Sequence, residues 1–108
     1  MRILLSQTGD LSDCILTLPV ACSLKEYFPN AEIAIAVGVE KADFLEQHSA
    51  IDEVVELPIR WNRSPRGIRS VKQKLTAQNF DVAIDCDESF VSALVCQLSA
   101  AARRIGWD

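Results

Sequence analysis

The chain has 108 residues, 49% of them apolar and 24% charged, with a formal net charge of −4. That is the composition of one globular domain able to bury its own core, which excludes a disordered charged tail. No apolar run approaches the ~20 residues of a membrane span, and no basic segment followed by a long apolar core reads as a signal peptide.

The charge is unevenly spread. Residues 1–59 hold ten acids and three bases, residues 60–74 six bases and no acid, and residues 75–108 five acids and two bases. A basic block inside an acidic chain points to a local anionic partner; nucleic acid, which usually asks for a basic domain, is not expected. The four cysteines, Cys14, Cys22, Cys86 and Cys96, form no CxxC and share one histidine. Three sit among apolar residues, so free buried thiols, a reducing cytosolic setting and no metal site are expected.

In chain order, Ile3-Leu4-Leu5 reads as a buried strand, and Gln7-Thr8-Gly9-Asp10 breaks it with turn chemistry. A helix is expected from about Asp13 to Tyr27, with Leu11, Cys14, Ile15, Leu18 and Cys22 at helical spacing and Pro19 kinking it. Two readings of its acidic start stay open. Asp10 could cap the helix with Asp13 as capping-box partner, or Asp13 could face the crevice as a general base kept anionic by the helix dipole. Glu32 to Val37 is the second strand, closed by Gly38. A short helix follows from Glu40 to His48, apolar at Ala42, Phe44 and Leu45, where His48 reads as a dipole partner rather than a catalyst. Ile51 to Leu57 is the third strand, ended by Pro58.

After the loop Ile59 to Ser64, a helix is expected from Pro65 to about Gln78, with Ser64 as cap and Ile68, Val71 and Leu75 inward. Phe80 to Asp85 is the fourth strand. Phe90 to Ala102 is an apolar helix carrying Phe90, Ala93, Leu94, Leu98 and Ala101, with Cys96 off that face and Arg103-Arg104 at its end. Ile105-Gly106-Trp107 reads as a short fifth strand. Strands alternating with helices predict an α/β fold: a Rossmann-like, three-layer parallel sheet of about five strands in order 3-2-1-4-5. Ligands of such sheets bind at the carboxyl ends of the strands. No GxGxxG and no GxxxxGK occurs, which disfavours a dinucleotide fold or a P-loop. A response-regulator receiver would want paired acids after strand one, where Ser6-Gln7 stands.

The opening segment resembles the ADP-heptose:lipopolysaccharide heptosyltransferases, glycosyltransferase family 9. Ile3-Leu4-Leu5, the small-residue loop Gln7 to Ser12, Asp13, and Leu16-Thr17-Leu18-Pro19 carry the likeness. Further segments resemble the family in order: Phe28-Pro29 to Ile33, Ile51 to Val54, Asn79 to Asp85 with Ser92-Ala93-Leu94, and Arg103 to Asp108. The resemblance implies the N-terminal, acceptor-binding domain of a GT-B glycosyltransferase, with the sugar-nucleotide domain not encoded in these residues. It implies Asp13 as catalytic base and Thr8, Gly9 and Ser12 as acceptor-side loop residues, Ser12 standing where the family has glycine. The family's Arg/Trp segment after strand three, which contacts an anionic acceptor, matches Arg60, Trp61 and Arg63. Arginine forks bind carboxylate or phosphate, and a tryptophan offers a flat face to a sugar ring. After strand four the family's Asp-x-Gln-Gly and following base are replaced by Asp85-Cys86-Asp87-Glu88 and Val91, acids that would repel a phosphorylated acceptor.

The expected function is therefore the acceptor half of a heptosyltransferase-like enzyme, with ADP-heptose as donor substrate once a second domain is present, no cofactor and no metal. Its partners would be an anionic glycolipid acceptor at the inner face of the inner membrane, and a second copy through an exposed sheet edge. The chain alone is expected to be inactive. The alternative is a non-catalytic module that binds an anionic glycan or another subunit.

Overall fold

The computed structural model describes residues 1–106. Five parallel strands form one sheet in the order β3-β2-β1-β4-β5, as expected. The elements are β1 Arg2–Ser6, α1 Leu11–Tyr27, β2 Glu32–Gly38, α2 Ala42–Glu46, β3 Glu53–Leu57, α3 Pro65–Thr76, β4 Val82–Asp85, α4 Phe90–Leu98 and β5 Arg103–Ile105. Short 3-10 turns precede α2 and α3 at Val39–Lys41 and Trp61–Arg63. Trp107 and Asp108, the end of the expected fifth strand and of the family-like Arg-x-Gly-aromatic-Asp segment, lie outside the described residues.

The sheet buries two cores of opposite construction. On one face the alanines of β2 and β4, Ala34, Ala36 and Ala83, leave a low floor beside Leu4, Val55 and Leu57, filled from above by Trp61, Val71, Leu75, Phe80 and Val95. Ile3, Leu5, Ile33, Ile35 and Val37 give the other face a bulky floor, and mostly small residues close on it: Cys14, Ala21, Ala31, Ala42 and Ala50, with Leu45 and Ile51 the larger exceptions. Each face thus fills its volume once, as close packing requires.

That complementarity decides which side of each helix turns inward. On α1 the buried residues are Cys14, Thr17 and Ala21, while Leu11 and Ile15 are 42% exposed, Leu16 is 72% exposed and Cys22 is exposed. The expected apolar stripe is therefore only partly buried: a bulky sheet face accepts a helix that approaches on small side chains. The helix runs unbroken through Pro19. On α4 the buried residues are Ser92, Val95 and Cys96, whereas Phe90 is 80% exposed and Ala93 is exposed. The expected inward face of α4 is rotated, and Cys96 belongs to the core. The helix also ends earlier than expected, at Leu98, so that Arg103 and Arg104 lie in β5 rather than at a helix end. Of the apolar residues of α2, Ala42 and Leu45 are buried and Phe44 is 53% exposed. His48 lies beyond α2 and accepts a hydrogen bond on Nδ1 from Ala50 N–H at 3.2 Å, a turn contact.

At the amino end of the sheet Arg2 gathers three segments, β2, β3 and the α3–β4 connection. Its guanidinium pairs with Glu32, reaches Glu53 at 3.2 Å, donates to Gln78 Oε1 at 2.6 Å, and lies 5.6 Å from the Phe80 ring centroid. Nearby, Lys25 of α1 pairs with Asp52 at 2.6 Å. Burial raises the Asp52 carboxyl, but the Lys25 ammonium, the Ile33 N–H and the Arg2 charge outweigh it, so the net shift is below the ordinary 3.8. A carboxyl more acidic when folded stabilises above its unfolded value and loses that contribution as pH falls through the folded one. Asp52→Asn should therefore lower the urea midpoint at pH 7 and change it little at pH 2.

Gly67 sits in the first turn of α3, where a Cβ would be driven into the Trp61 carbonyl oxygen. The obstacle is backbone, so it cannot swing aside. Gly67→Ala should cost about 1–3 kcal/mol, the usual cost of overpacking, in a urea titration; an unchanged midpoint would show that the turn and α3 can separate freely.

Candidate functional site

The carboxyl ends of the strands converge on the β1–α1 turn, and three consecutive polar residues anchor it. Ser6 Oγ donates to Ser92 O at 3.0 Å, and Ser92 Oγ lies 2.7 Å from Asp85 Oδ1. Gln7 Nε2 donates to Thr17 Oγ1 at 3.0 Å and to Cys86 O at 3.1 Å, and its Oε1 accepts from Gly9 N–H at 2.9 Å. Thr8 Oγ1 donates to Asp87 Oδ2 at 3.1 Å and lies 3.0 Å from Ser89 Oγ. Buried Ser6 and Gln7 are thus fully partnered, as buried polar groups must be.

Asp10 caps α1, and the capping box is closed. Asp10 Oδ1 accepts from Asp13 N–H at 3.0 Å, and Asp13 Oδ2 accepts from Asp10 N–H at 3.2 Å. Gly9 is the glycine this arrangement needs: a Cβ there would run into the Asp13 carboxylate and come within 2.9 Å of Gln7 Oε1. Ser12, where the sequence pattern places the family's glycine, is exposed on the first turn.

Two cavities flank the turn. One, about 380 Å³, is lined by Gln7, Asp13, Leu16, Thr17, Val20, Ile84, Asp85 and Cys86. The other, about 220 Å³, lies between the ends of β2 and β3 and is lined by Thr8, Gly38, Glu40, Lys41, the segment Leu57 to Asn62, and Val91. The sequence-derived residues are therefore divided: Asp13 borders the first cavity, Thr8, Arg60 and Trp61 the second, and Gly9, Ser12 and Arg63 line neither.

Trp61 differs from expectation. It is only 7% exposed and packs in the core with Leu57, Val71 and Leu75. The first turn of α3 seats on its backbone at Gly67, so the indole is a fixed part of the cleft lining and not an open face for a sugar ring. Arg60 is exposed and holds a left-handed backbone, φ 60°, a conformation few non-glycine residues adopt. Arg63 is exposed, and its N–H donates to Arg60 O at 3.1 Å. The helical bases Arg66, Arg69, Lys72 and Lys74 are all exposed; Lys74 turns back to Glu56 O at 3.1 Å.

Lys41 and Glu40 in the second cavity were not singled out in the sequence, nor was Gln7 in the first, whereas Asp85 was read there as one of the acids after strand four. A polar pair ending an apolar strand was the available signal for Gln7; nothing in the periodicity marks Lys41. Among the described residues no group of three His, Cys, Asp or Glu is placed to hold a metal ion. The thiols are single. Burial pushes Cys86 up to about 12 and Cys96 up to about 11, and raises Cys14. Ellman's reagent at pH 8 should thus titrate exposed Cys22 quickly, half-buried Cys86 slowly, and buried Cys14 and Cys96 only on unfolding in urea; rapid reaction of Cys14 or Cys96 would contradict their placement.

Residues 68–108 match the family model of glycosyltransferase family 9 (heptosyltransferase). Over its whole length the chain is 25% identical to lipopolysaccharide heptosyltransferase 1 of Escherichia coli K12 and 27% identical to the Salmonella typhimurium protein of the same name. It spans 36% of the length of each, about a third of the relatives it matches. Among solved structures it resembles E. coli heptosyltransferase WaaC with ADP, at TM-score 0.84 and 27% identity, covering 100% of this chain and 36% of that one. It also shares the fold of the family 9 glycosyltransferase from Veillonella parvula DSM 2008, at TM-score 0.87 and 22% identity over 97% of this chain and 32% of that one. The resemblance to glycosyltransferase family 9 read from the sequence is borne out, and the chain resembles the N-terminal part of those heptosyltransferases.

Proposed function

We propose that this chain forms the acceptor-binding wall of a heptosyltransferase-like glycosyltransferase, which moves a heptose from ADP-heptose to an anionic lipopolysaccharide-core acceptor when a donor-binding domain closes the cleft. The observation that carries the reading is the β1–α1 turn, with a carboxylate on one side and a cation-bearing cleft on the other. Asp13 takes the proton of the acceptor hydroxyl as that oxygen attacks the anomeric carbon, and the bond to ADP breaks with its electron pair leaving on the phosphate. Capping and base catalysis are compatible in one carboxylate. Oδ2 accepts from Asp10 N–H, and Oδ1 has no partner among the described residues. Arg60 and Arg63 orient the acceptor's acidic groups. Gly9, Thr8 and Ser12 shape the turn the acceptor approaches.

Donor binding belongs to residues outside this chain, so the reading places sugar-nucleotide affinity in the second domain. A glycolipid acceptor brings the protein to the membrane face where such lipids are assembled. No helix among the described residues is long and apolar enough to cross a membrane. A second reading, a non-catalytic binding module, draws on Asp87, which occupies the Thr8 hydroxyl at 3.1 Å and adds an acid to the crevice.

The test is a fusion of this chain to the donor-binding domain of a relative. Asp13→Asn should lower transfer about 10²- to 10⁴-fold. Its circular dichroism should be unchanged, because the amide oxygen still accepts from Asp10 N–H. Near-normal turnover would leave Asp13 as a helix cap only. Replacing Arg60 and Arg63 together by Gln should raise KM for a charged acceptor and flatten its dependence on salt, since exposed charges are screened beyond ~8–10 Å at physiological ionic strength. Equal KM values for charged and neutral acceptor analogues would count against the assignment of Arg60 and Arg63, and a wild-type fusion that binds the charged acceptor but transfers nothing would favour the second reading.

A further inference from the structure

We propose that Lys41 is a second cation of the cleft that holds Arg60, and that Glu40 serves it as a resident counter-ion which an anionic ligand displaces. The inference rests on reading this cleft as the acceptor side of the site, and it extends that reading to residues no part of the sequence pattern singled out.

Lys41 ends the 3-10 turn that follows β2, and the next residue, Ala42, is fully buried at the start of α2. The backbone is therefore fixed close to the sheet, and the lysine stem is drawn in with it: its side chain is only 20% exposed. Among the described residues its ammonium has one partner, Glu40 Oε1 at 3.1 Å. An ammonium carries three donors, so two remain for a ligand. Glu40 is the looser member, its side chain 55% exposed and folded back over Gly38, within 2.6 Å of where a Cβ would stand. An adjacent, exposed carboxylate is a weak hold on a lysine. It neutralises the ammonium while the cleft is empty and can swing to solvent when another anion arrives.

Across the cleft, Arg60 is carried on its left-handed turn, and its guanidinium has no side-chain partner among the described residues. Asn62 and Thr8 add neutral polar groups to the same lining. The cavity, about 220 Å³, is smaller than the ~300–1,000 Å³ of drug-sized pockets and suits one acidic group on a sugar unit. The ligand class is a sugar-borne oxyanion, carboxylate or phosphate, met by a fork from Arg60 and a point charge from Lys41.

The experiment is a chemical-shift titration of the isotope-labelled 108-residue chain at low salt, with glucuronate, inorganic phosphate and, as neutral control, glucose. Shifts at residues 38–42 and 58–62 with both anions, or with one of them, and none with glucose are expected, and the stronger arm identifies carboxylate or phosphate. Lys41→Gln should weaken the anion at least about tenfold, as loss of a charge-assisted hydrogen bond does, and Lys41→Arg should restore most of it. Glu40→Gln should tighten it about two- to five-fold. If Arg60→Gln weakens binding while Lys41→Gln and Glu40→Gln match the wild type, the counter-ion proposal is wrong and the acceptor reading of the cleft survives. If no anion shifts these residues in the wild-type chain, both fall together.

Discussion

The crevice depends on what happens at the carboxyl end of β1, where Ser6, Gln7 and Thr8 each commit a side chain to a different neighbour. Ser6 binds α4, Gln7 joins α1 to the segment after β4, and Thr8 reaches the β4–α4 loop. A typical hydrogen bond stabilises by only about 0.5–1.5 kcal/mol, but a buried polar group left without its partner costs about 1–3 kcal/mol. The network therefore acts less as glue than as a register lock: any rotation of α1 or α4 would orphan Gln7 or Ser6. With Arg2 gathering β2, β3 and the α3–β4 connection at the opposite end, the central strand is clamped at both ends. The loops beyond that upper clamp inherit fixed starting points, which is what a binding crevice needs from its scaffold.

The strand order, the parallel sheet, the number of helices and the Asp10 and Ser64 caps were all legible in the sequence, because each depends on local pattern: short apolar runs, turn residues and cap residues. The helix faces were not. Periodicity says which residues share a side, but α1 is apolar nearly all round, with Leu11, Ile15, Leu16 and Val20 left on its exposed surface. Which side goes in is decided by the volume already filled by Ile3, Leu5, Ile33 and Ile35, a property of the sheet and not of the helix. The same logic applies to α4. Ser92 turns inward because Ser6 and Asp85 are there to receive it, so a polar residue wins the core position over Phe90.

The candidate site divides in the same way. Asp13 and Arg60 were visible because a helix start and a basic block are sequence features. The burial of Trp61 was not legible because an Arg-Trp-x-Arg segment looks solvent-facing on paper, while its ring packs in the core with Val71 and Leu75 of α3. Lys41 was invisible because its significance comes from β2 and β3 lying side by side, so that the turns after them face each other across one cleft. The two readings of Asp13 that the sequence left open are compatible in the folded chain: the capping box uses one carboxylate oxygen, and the other has no partner among the described residues.

The charge pattern around the β1–α1 turn follows from these placements. On the β2–β3 side the lining offers Arg60 and Lys41, the latter paired with Glu40, which an arriving anion would displace, and on the β4 side it offers Asp13, Asp85 and, bonded to Thr8, Asp87. A molecule that carries both an acidic group and hydroxyls is held in one orientation by such a field, its anion toward the cations and its hydroxyls toward the carboxylates. For the proposed transfer this polarity has a chemical consequence. The acids that would repel an anionic group from the β4 side are the same acids that bias a hydroxyl proton to leave toward them. Repulsion of the wrong orientation and acceptance of the proton are then two effects of one arrangement. The acidic segment Asp85-Cys86-Asp87-Glu88, which reads in the sequence as a defect in an anion-binding site, becomes on this reading a source of its directionality.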